Sequence, residues 1–375
     1  MKTWTLNICL AFIVSIYLSR VVISNILLIA FRKRLFDIPN ERKIHTVQVP
    51  RLGGIAFKPV IFFTLALIIG FNITFGNYEV IGVVEREALP LSYCFCALML
   101  LYLVGMGDDL VGIRYSAKFI VQFICALMFL TGGVYIGDFQ GFLGIDHLSV
   151  WFAYPFTILL VIFITNAINL IDGIDGLASG LCSVALIFYG FTFYILGQYL
   201  YSMMSFTALG VLIPFFYYNV FGDVKKHKKI FMGDTGSLTI GMLLCFLSIK
   251  LSMCDMMGRF VHIPNLLIIA YSPLLIPCFD VIRVYFHRVR LGKNPFLPDK
   301  SHIHHKLLAF GLSQREVLIT ILGFSVLLTL SNILLSSYLN LTIIMLCDAI
   351  VWTILNLWLS KKIKCIKKHS VCSIS

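Results

Sequence analysis

The chain has 375 residues, of which 59% are hydrophobic and only 13% are charged, and its formal net charge is +12. A soluble domain normally carries about 25% charged residues. This composition therefore excludes an ordinary soluble protein and indicates a membrane protein. The 11 cysteines are scattered, without the paired spacing of a zinc site or a disulfide framework, so we interpret them as small buried apolar residues.

Eleven apolar stretches are long enough to cross a bilayer as helices, each of which needs roughly 20 residues. They are continuously apolar, whereas the strands of a membrane barrel alternate in polarity. The sequence therefore predicts an all-α, polytopic integral membrane protein that forms a single domain over residues 1–375. The predicted spans are 6–31, 52–71, 89–106, 116–137, 150–170, 176–196, 201–221, 236–252, 265–286, 316–338 and 340–360.

Lysine and arginine are distributed unevenly between the segments that connect these spans. With the N-terminus outside, 23 of the 30 basic residues lie in the inside segments, which predicts a cytoplasmic C-terminus. The inside segments are 32–51, 107–118, 171–175, 222–235, 287–315 and a basic cytoplasmic tail, 361–375. The positive charge is thus a signal of topology and not of nucleic-acid binding, although it also attracts anionic substrates and lipid headgroups.

The polar motifs all lie in the inside segments or at the span ends that face them. Residues 37–45 and 50–54 combine basic groups, asparagine and glycine, which suits a phosphate, although the charges could also serve only topology. Asp108 and Asp109 stand side by side at the inner end of the third span. Adjacent carboxylates near lipid favour a bound cation, unless both are solvated loop charges.

A third motif joins the fifth and sixth spans and contains Asn166, Asn169, Asp172 and Asp175. The spacing of three residues places successive members beside one another if the helix persists. Their hard oxygen atoms suit Mg²⁺. Asp-Gly pairs also favour turns, but turn formation does not explain two asparagines within an apolar run.

Two further motifs precede later spans. Residues 231–237, Phe-Met-Gly-Asp-Thr-Gly-Ser, begin the eighth span. A free helix N-terminus favours a diphosphate, with Asp234 reaching a metal, and the alternative is a simple helix start capped by Thr235 or Ser237. The second motif, residues 298–305, has three histidines but no matching zinc ligands, so hydrogen bonding to phosphate or sugar is expected. Asp280 and Arg283 are spaced to pair.

These five motifs, in this order, resemble those of the polyprenyl-phosphate N-acetylhexosamine-1-phosphate transferases (glycosyltransferase family 4) across roughly residues 1–335. The His-Ile-His-His pattern and the loop at 37–45 look more like the WecA-type branch than the MraY branch, because Ile303 interrupts the run of histidines. The chain departs from the family pattern at Gly112, where a basic residue is common. Arg114 or Lys118 is expected to replace it.

The resemblance implies a reaction in which undecaprenyl phosphate attacks the β-phosphorus of a UDP-N-acetylhexosamine, with UDP-GlcNAc as first choice. UMP leaves and undecaprenyl-diphospho-sugar forms, which primes an envelope polysaccharide such as O-antigen. The resemblance also implies Mg²⁺, with Mn²⁺ as a substitute, and an active site on the cytoplasmic face of the bacterial inner membrane. It leaves a homodimer open.

Two alternatives remain. One is the phospho-N-acetylmuramoyl-pentapeptide transferase of peptidoglycan synthesis. The other, more distant, is a secondary transporter, which would place its polar residues near the bilayer midplane in two related halves.

Residue roles follow from the same resemblance. Asp108, Asp109 and Asp234 are the predicted catalytic residues, and Asp108 accepts a proton from the lipid phosphate or orients it. Asp234 is the first metal ligand, assisted by Asp109 or Asp172, and a covalent phospho-aspartate route stays open. The predicted nucleotide-sugar ligands are Asn169, Asp172, Asp175, Asn219, Arg290, His302, His304 and His305. The predicted ligands of the lipid phosphate are Lys118, Arg51 and His45.

Overall fold

The computed structural model describes residues 2–33, 35, 49–254, 265–292, 294 and 301–372. Within them the chain is almost entirely helical, as predicted, because a chain within a bilayer must satisfy its backbone hydrogen bonds internally. The helices are α1 (Lys2–Lys33), α2 (Phe57–Thr74), α3 (Tyr78–Arg86), α4 (Ala88–Val111), α5 (Tyr115–Thr131), α6 (Val150–Ile171), α7 (Leu177–Ile195), α8 (Tyr199–Val220), α9 (Gly233–Ser252), α10 (Leu266–Tyr271), α11 (Leu275–Arg290), α12 (Ile303–Phe310), α13 (Gln314–Leu335) and α14 (Leu341–Cys372). The 3₁₀ turns Gly53–Ala56 and Ser272–Leu274 precede α2 and α11.

Ten helical stretches in the described residues are long and apolar enough to cross a membrane, and they match ten of the eleven predicted spans. The remaining prediction, 116–137, corresponds to α5, which has only 17 residues. This helix ends at Thr131 because two glycines follow, and Gly133 has φ +72°. At about 1.5 Å per residue α5 is about 26 Å long, slightly shorter than a hydrocarbon core of about 30 Å.

Helix α9 is the central helix of the bundle, since all of its 20 residues except Asp234 and Lys250 are buried. It packs against α4, α6, α7 and α10. Small residues allow this close approach, as they commonly do between membrane helices. A Cβ atom on Gly105 of α4 would lie 2.5 Å from the Cα atom of Thr235, so α4 touches the first turn of α9 directly.

Several short elements were not predicted from the sequence. Helix α3 and the antiparallel hairpin of β1 (Asp138–Phe142) and β2 (Ile145–His147) occupy connections that were predicted to lie outside. Helix α12 lies within the inside segment 287–315. Helix α14 continues through residue 361 to Cys372, so most of the predicted basic tail is an extension of the last span.

Candidate active site

Residues 50–54 of the first sequence motif and residues 231–237, the fourth motif, are joined through their backbones. The amide of Phe231 donates to the carbonyl of Pro50, and the amide of Gly53 donates to the carbonyl of Phe231, both over 2.9 Å. A Cβ atom on Gly54 would lie only 2.0 Å from the amide nitrogen of Gly236, so this contact requires glycine. Two motifs that are far apart in the sequence therefore form one unit at the start of α9.

Arg51 belongs to this unit, because its carbonyl oxygen lies beside Gly233. His45 and the rest of the motif at 37–45 lie outside the described residues.

The first turn of α9 is held by Asp109 at the end of α4. Its Oδ1 accepts from the amide of Asp234 at 2.8 Å, and its Oδ2 accepts from the amide and hydroxyl of Thr235 at 2.9 and 2.6 Å. Gly233 has φ +71°, and a Cβ atom there would lie 2.5 Å from Asp109. The sequence offered Thr235 or Ser237 as an alternative cap, but the structure has a carboxylate from another helix, which complements the partial positive charge of the N-terminus better.

Asp108 and Asp234 share one lysine. The Nζ atom of Lys118, on α5, lies 2.7 Å from the Asp108 carboxylate and 2.6 Å from that of Asp234. The other oxygen of Asp108 accepts from the amide of Ile113 at 2.7 Å. This position of Lys118 is consistent with the expectation that Lys118 supplies the basic group missing at Gly112.

The third motif lies against the same turn of α9. Asn169 donates to the hydroxyl of Ser237 at 2.8 Å. Asp175 forms an ion pair of 2.5 Å with Lys229, on the segment that leads into α9. Asn166 faces away from this cluster, toward Gln122 of α5.

Asp172 follows α6 and is an exposed residue, and its carboxyl group lies among the charges of neighbouring residues. Partial loss of hydration is the largest cause that raises the pKa of Asp172 to about 7. Arg51 opposes this increase, whereas the carboxylates of Asp234, Asp175 and Asp109 add to it. The surroundings of Asp172 therefore concentrate negative charge, which favours a cation.

Asn219, predicted to bind the nucleotide sugar, connects two segments of the backbone. Its Oδ1 accepts from the amide of Gly176 at 2.6 Å, and its Nδ2 donates to the carbonyl of Ile230 at 2.8 Å. The side chain is only 5% exposed. These contacts give Asn219 a positioning role that holds the third motif beside the fourth.

The histidine motif is organised by Asp280 of α11. This fully buried carboxylate lies 2.8 Å from the His302 ring and accepts from the amide of Ile303 at 3.0 Å. It also lies 2.8 Å from Arg283, as the spacing of the two residues predicted. Asp280 thus fixes the start of α12.

His304 is brought against the third motif. A Cβ atom on Gly173 would lie 2.2 Å from its Nε2 atom. Burial, followed by the neighbouring His305 and His302, lowers the pKa of His304 to about 3, so its ring is neutral. Arg290 lies at the exposed end of α11, and among the described residues no carboxylate is paired with it.

No three histidine, cysteine, aspartate or glutamate side chains in the described part of the chain stand close enough to hold a metal ion by themselves. Mg²⁺ does not require such a cage, because it usually keeps several waters and takes one or two carboxylates together with substrate phosphates. The two carboxylates around Lys118 already bind a positive group, and their hard oxygens fit Mg²⁺.

The structure therefore joins Asp108, Asp109, Asp234, Lys118 and Asn169 at one turn of α9. Sequence reasoning did not predict that Thr235 donates to Asp109, that Lys229 pairs with Asp175 or that Asp280 holds the start of α12. Asp280 had one signal, its spacing from Arg283. No local pattern pointed to the contacts of Thr235 and Lys229, because both depend on segments distant in the chain.

Comparison with known proteins agrees with this architecture. Residues 91–252 match the model of glycosyl transferase family 4. A probable undecaprenyl-phosphate N-acetylglucosaminyl 1-phosphate transferase of Bacillus subtilis is 33% identical over 336 residues, covering 88% of this chain and 86% of that protein.

Two undecaprenyl-phosphate alpha-N-acetylglucosaminyl 1-phosphate transferases are also similar. The protein of Salmonella typhi is 30% identical over an alignment that covers 78% of this chain and 74% of that protein. The protein of Yersinia pestis is 29% identical over an alignment that covers 82% of this chain and 78% of that protein. The similarity extends across most of the membrane helices and the motifs between them, and the chain belongs to the polyprenyl-phosphate N-acetylhexosamine-1-phosphate transferases of glycosyl transferase family 4.

Proposed function

We propose that this protein transfers GlcNAc-1-phosphate from UDP-GlcNAc to undecaprenyl phosphate, releasing UMP at the cytoplasmic face of the membrane. The names of its relatives support the transferred group and the lipid acceptor. The observation that carries the proposal is the position of Lys118 between Asp108 and Asp234, at the first turn of α9. This arrangement offers both an anion-binding lysine and cation-binding carboxylates within one site.

The main difficulty of the reaction is electrostatic, because both reactants are phosphate anions. In the reaction one oxygen of the lipid phosphate bonds to the β-phosphorus, and the bond from this phosphorus to the bridging oxygen breaks. UMP leaves with that oxygen. A bound Mg²⁺, held by Asp234 with Asp172, would neutralise the diphosphate and stabilise the departing UMP.

Asp108 and Lys118 are assigned to the lipid phosphate. Two contacts fix the Asp108 carboxylate, one from the amide of Ile113 and one from Lys118. A carboxylate held in this way orients the attacking phosphate or accepts its proton. Lys118 binds the same phosphate as a point charge.

Asp109 acts mainly through position. Three donors already occupy its two oxygens, so its principal role is to hold the first turn of α9, and with it Asp234, against α4. Metal ligation by Asp109, the second role predicted from the sequence, becomes subordinate in this proposal.

The nucleotide sugar is assigned to the other side of the site. Among the described residues, neither ring nitrogen of His304 has a hydrogen-bond partner. Because the ring is neutral, it can both donate to and accept from a sugar or diphosphate group. The His305 ring lies 4.3 Å from that of His304, and we assign Asn169 and Asp175 to the same binding surface because they belong to the motif whose Gly173 lies against His304.

The test uses the purified full-length protein with undecaprenyl phosphate, Mg²⁺ and a panel of UDP-sugars. We expect UMP release and a lipid whose mass equals undecaprenyl-diphospho-GlcNAc, and removal of Mg²⁺ with a chelator should stop both. A product only with UDP-N-acetylmuramoyl-pentapeptide would assign the peptidoglycan reaction instead. Absence of product with every donor, from protein that elutes as a folded species, would refute the proposal.

A further inference from the structure

An apolar cavity lies between α11, α12, α13 and α14, and it has no part in the proposed reaction. Its volume is about 250 Å³, and its walls include Leu307, Phe310, Trp352 and Trp358. Apolar cavities of about 150 Å³ stay dry and accept apolar molecules. A cavity of this size and lining therefore suits a stretch of hydrocarbon chain.

The cavity is partly open at the surface of the bundle, and Trp358 at its wall is 51% exposed. The apolar lining on α14 ends at Leu359, and Ser360 and two exposed lysines, Lys361 and Lys362, follow directly. Exposed tryptophan followed by lysine is typical of the boundary between hydrocarbon and headgroups.

A third ammonium group borders this region. Lys306 of α12 donates to Asn356 at 3.3 Å and to Ser360 at 3.0 Å, and both partners are neutral. An apolar cavity bordered by lysines is complementary to a lipid that has a hydrocarbon chain and an anionic headgroup.

We propose that one chain of an anionic membrane phospholipid occupies this cavity, with its headgroup bound by Lys361 and Lys362. The position favours a phospholipid over the polyprenyl substrate. Helix α12 packs on α13 and α14, whereas Lys118 lies on α5, which packs on α4 and α6. The cavity and the lysine assigned to the lipid substrate are thus on different groups of helices.

Such a lipid would support the histidine helix from behind. Leu307 lines the cavity, and His304, on the preceding turn of α12, contacts Gly173 of the third motif. Filling the cavity therefore limits movement of α12 away from the site. This consequence rests on the proposed function, whereas lipid binding itself does not.

The cavity supplies its own fluorescent probes. Of the four tryptophans in the chain, Trp352 and Trp358 line it, whereas Trp4 and Trp151 lie at the beginnings of α1 and α6. The full-length protein is placed in nanodiscs of phosphatidylcholine that contain phosphatidylglycerol or phosphatidylcholine with brominated chains, at equal mole fractions. We expect brominated phosphatidylglycerol to quench tryptophan emission more strongly.

Paired variants assign the quenching to the cavity. Replacing both Trp352→Phe and Trp358→Phe should remove the difference between the two lipids, whereas replacing Trp4→Phe and Trp151→Phe should preserve it. Thr320→Phe, at an exposed position on the wall, should block the cavity and reduce the quenching.

Charge variants test the headgroup. Lys361→Gln with Lys362→Gln should reduce the preference for phosphatidylglycerol by roughly tenfold, since each lysine near the surface contributes to anionic lipid binding. Arg32→Gln with Lys33→Gln, an exposed basic pair at the end of α1, is the matched control and should retain the preference.

Equal quenching by the two lipids, or a difference that survives loss of Trp352 and Trp358, would overturn the proposal. Stronger quenching by a brominated polyprenyl phosphate would also overturn it and assign the cavity to the substrate lipid. Transferase activity is measured in parallel. If Thr320→Phe reduces quenching but not activity, the lipid binds without supporting α12; if activity is absent in every protein, only the proposed function fails.

Discussion

Each end of the α4–α9 pair contains a lysine, which is bound to two carboxylates at one end and to a single carboxylate at the other. Where α4 ends and α9 begins, Lys118 is shared between Asp108 and Asp234. Where α4 begins and α9 ends, Lys250 lies 3.0 Å from Glu87, and the Tyr201 hydroxyl donates to the same carboxylate. The first group has an excess of negative charge, and the second is neutral.

The difference in charge balance distinguishes a ligand-binding site from a structural contact. A neutral pair completed by a phenol has no need of a further ion, so the Glu87 group serves to join three helices. Two carboxylates around one lysine, with Asp109 and Asp172 nearby, are stable only with additional positive charge or a raised pKa. The variants below test whether activity depends on one end and stability on the other.

The largest effect is expected for Asp234→Asn. Removal of this charge weakens cation binding and leaves Lys118 with one carboxylate, so kcat should fall by at least ~10³-fold, comparable with the loss of one stabilising group in a transition state. UMP release at saturating Mg²⁺ measures the change, and thermal unfolding shows whether the fold persists. Activity within about tenfold of the original protein would exclude Asp234 as an essential ligand.

Asp280→Asn should have the next largest effect, on stability. The variant removes the charge of a fully buried carboxylate that the partly buried Arg283 meets, and it weakens the anchor of α12, so unfolding should become easier by about 3 kcal/mol. Asp138→Asn is the control, because its His147 partner is 83% exposed and 3.6 Å away, and its cost should stay below ~0.5 kcal/mol. Similar stability of the two variants would contradict the anchoring role of Asp280.

Gly54→Ala tests the junction of the first and fourth motifs. The added methyl group would meet the backbone of Gly236 at 2.0 Å, and backbone cannot rotate away as a side chain can. We expect a loss of about 2 kcal/mol in unfolding free energy, within the range for overpacking. Gly70→Ala, on helix α2 that follows this turn, is the control, because nothing lies within 4 Å of the added atom. Unaltered stability of Gly54→Ala would show that the two motifs separate readily.

The sequence predicted the helices well because each span is a local property. A continuous apolar run of sufficient length dictates a helix in a bilayer, whatever its neighbours are. The end of α5 was misplaced by six residues, since residues 132–137 are apolar enough to continue a span, but Gly132 and Gly133 terminate the helix. Helix α12 was missed because only eight residues form it, and Asp280 supplies its anchor from another helix.

The site was predictable in its membership but not in its geometry. Asp108, Asp109 and Asp234 stood out because carboxylates are rare beside apolar runs. Nothing local showed that Asp109 would hold α9 or that Asn219 would connect Gly176 with Ile230, because both contacts join distant parts of the chain. These roles depend on how the helices pack, which apolar periodicity does not specify.

The smallest effect is expected at the opposite end, for Glu87→Gln. The variant keeps a hydrogen-bond acceptor for Tyr201 but removes the charge that Lys250 meets, in a pair that is only partly buried. Unfolding should therefore become easier by about 1 kcal/mol. Glu87→Gln, Lys250→Gln and the double variant form a cycle, and their unfolding free energies in detergent give the coupling of the pair.

Transferase activity of the folded fraction should change by less than about twofold in all three variants, since the pair lies at the opposite end of α4 and α9 from the carboxylates around Lys118. A much larger loss would have a specific meaning. Helices α4 and α9 run from the Glu87 pair to the carboxylates around Lys118, so such a loss would show that the two ends are mechanically coupled through these helices. The neutral pair would then help to set the spacing between Asp108 and Asp234, and the separation of structural and catalytic ends would no longer hold.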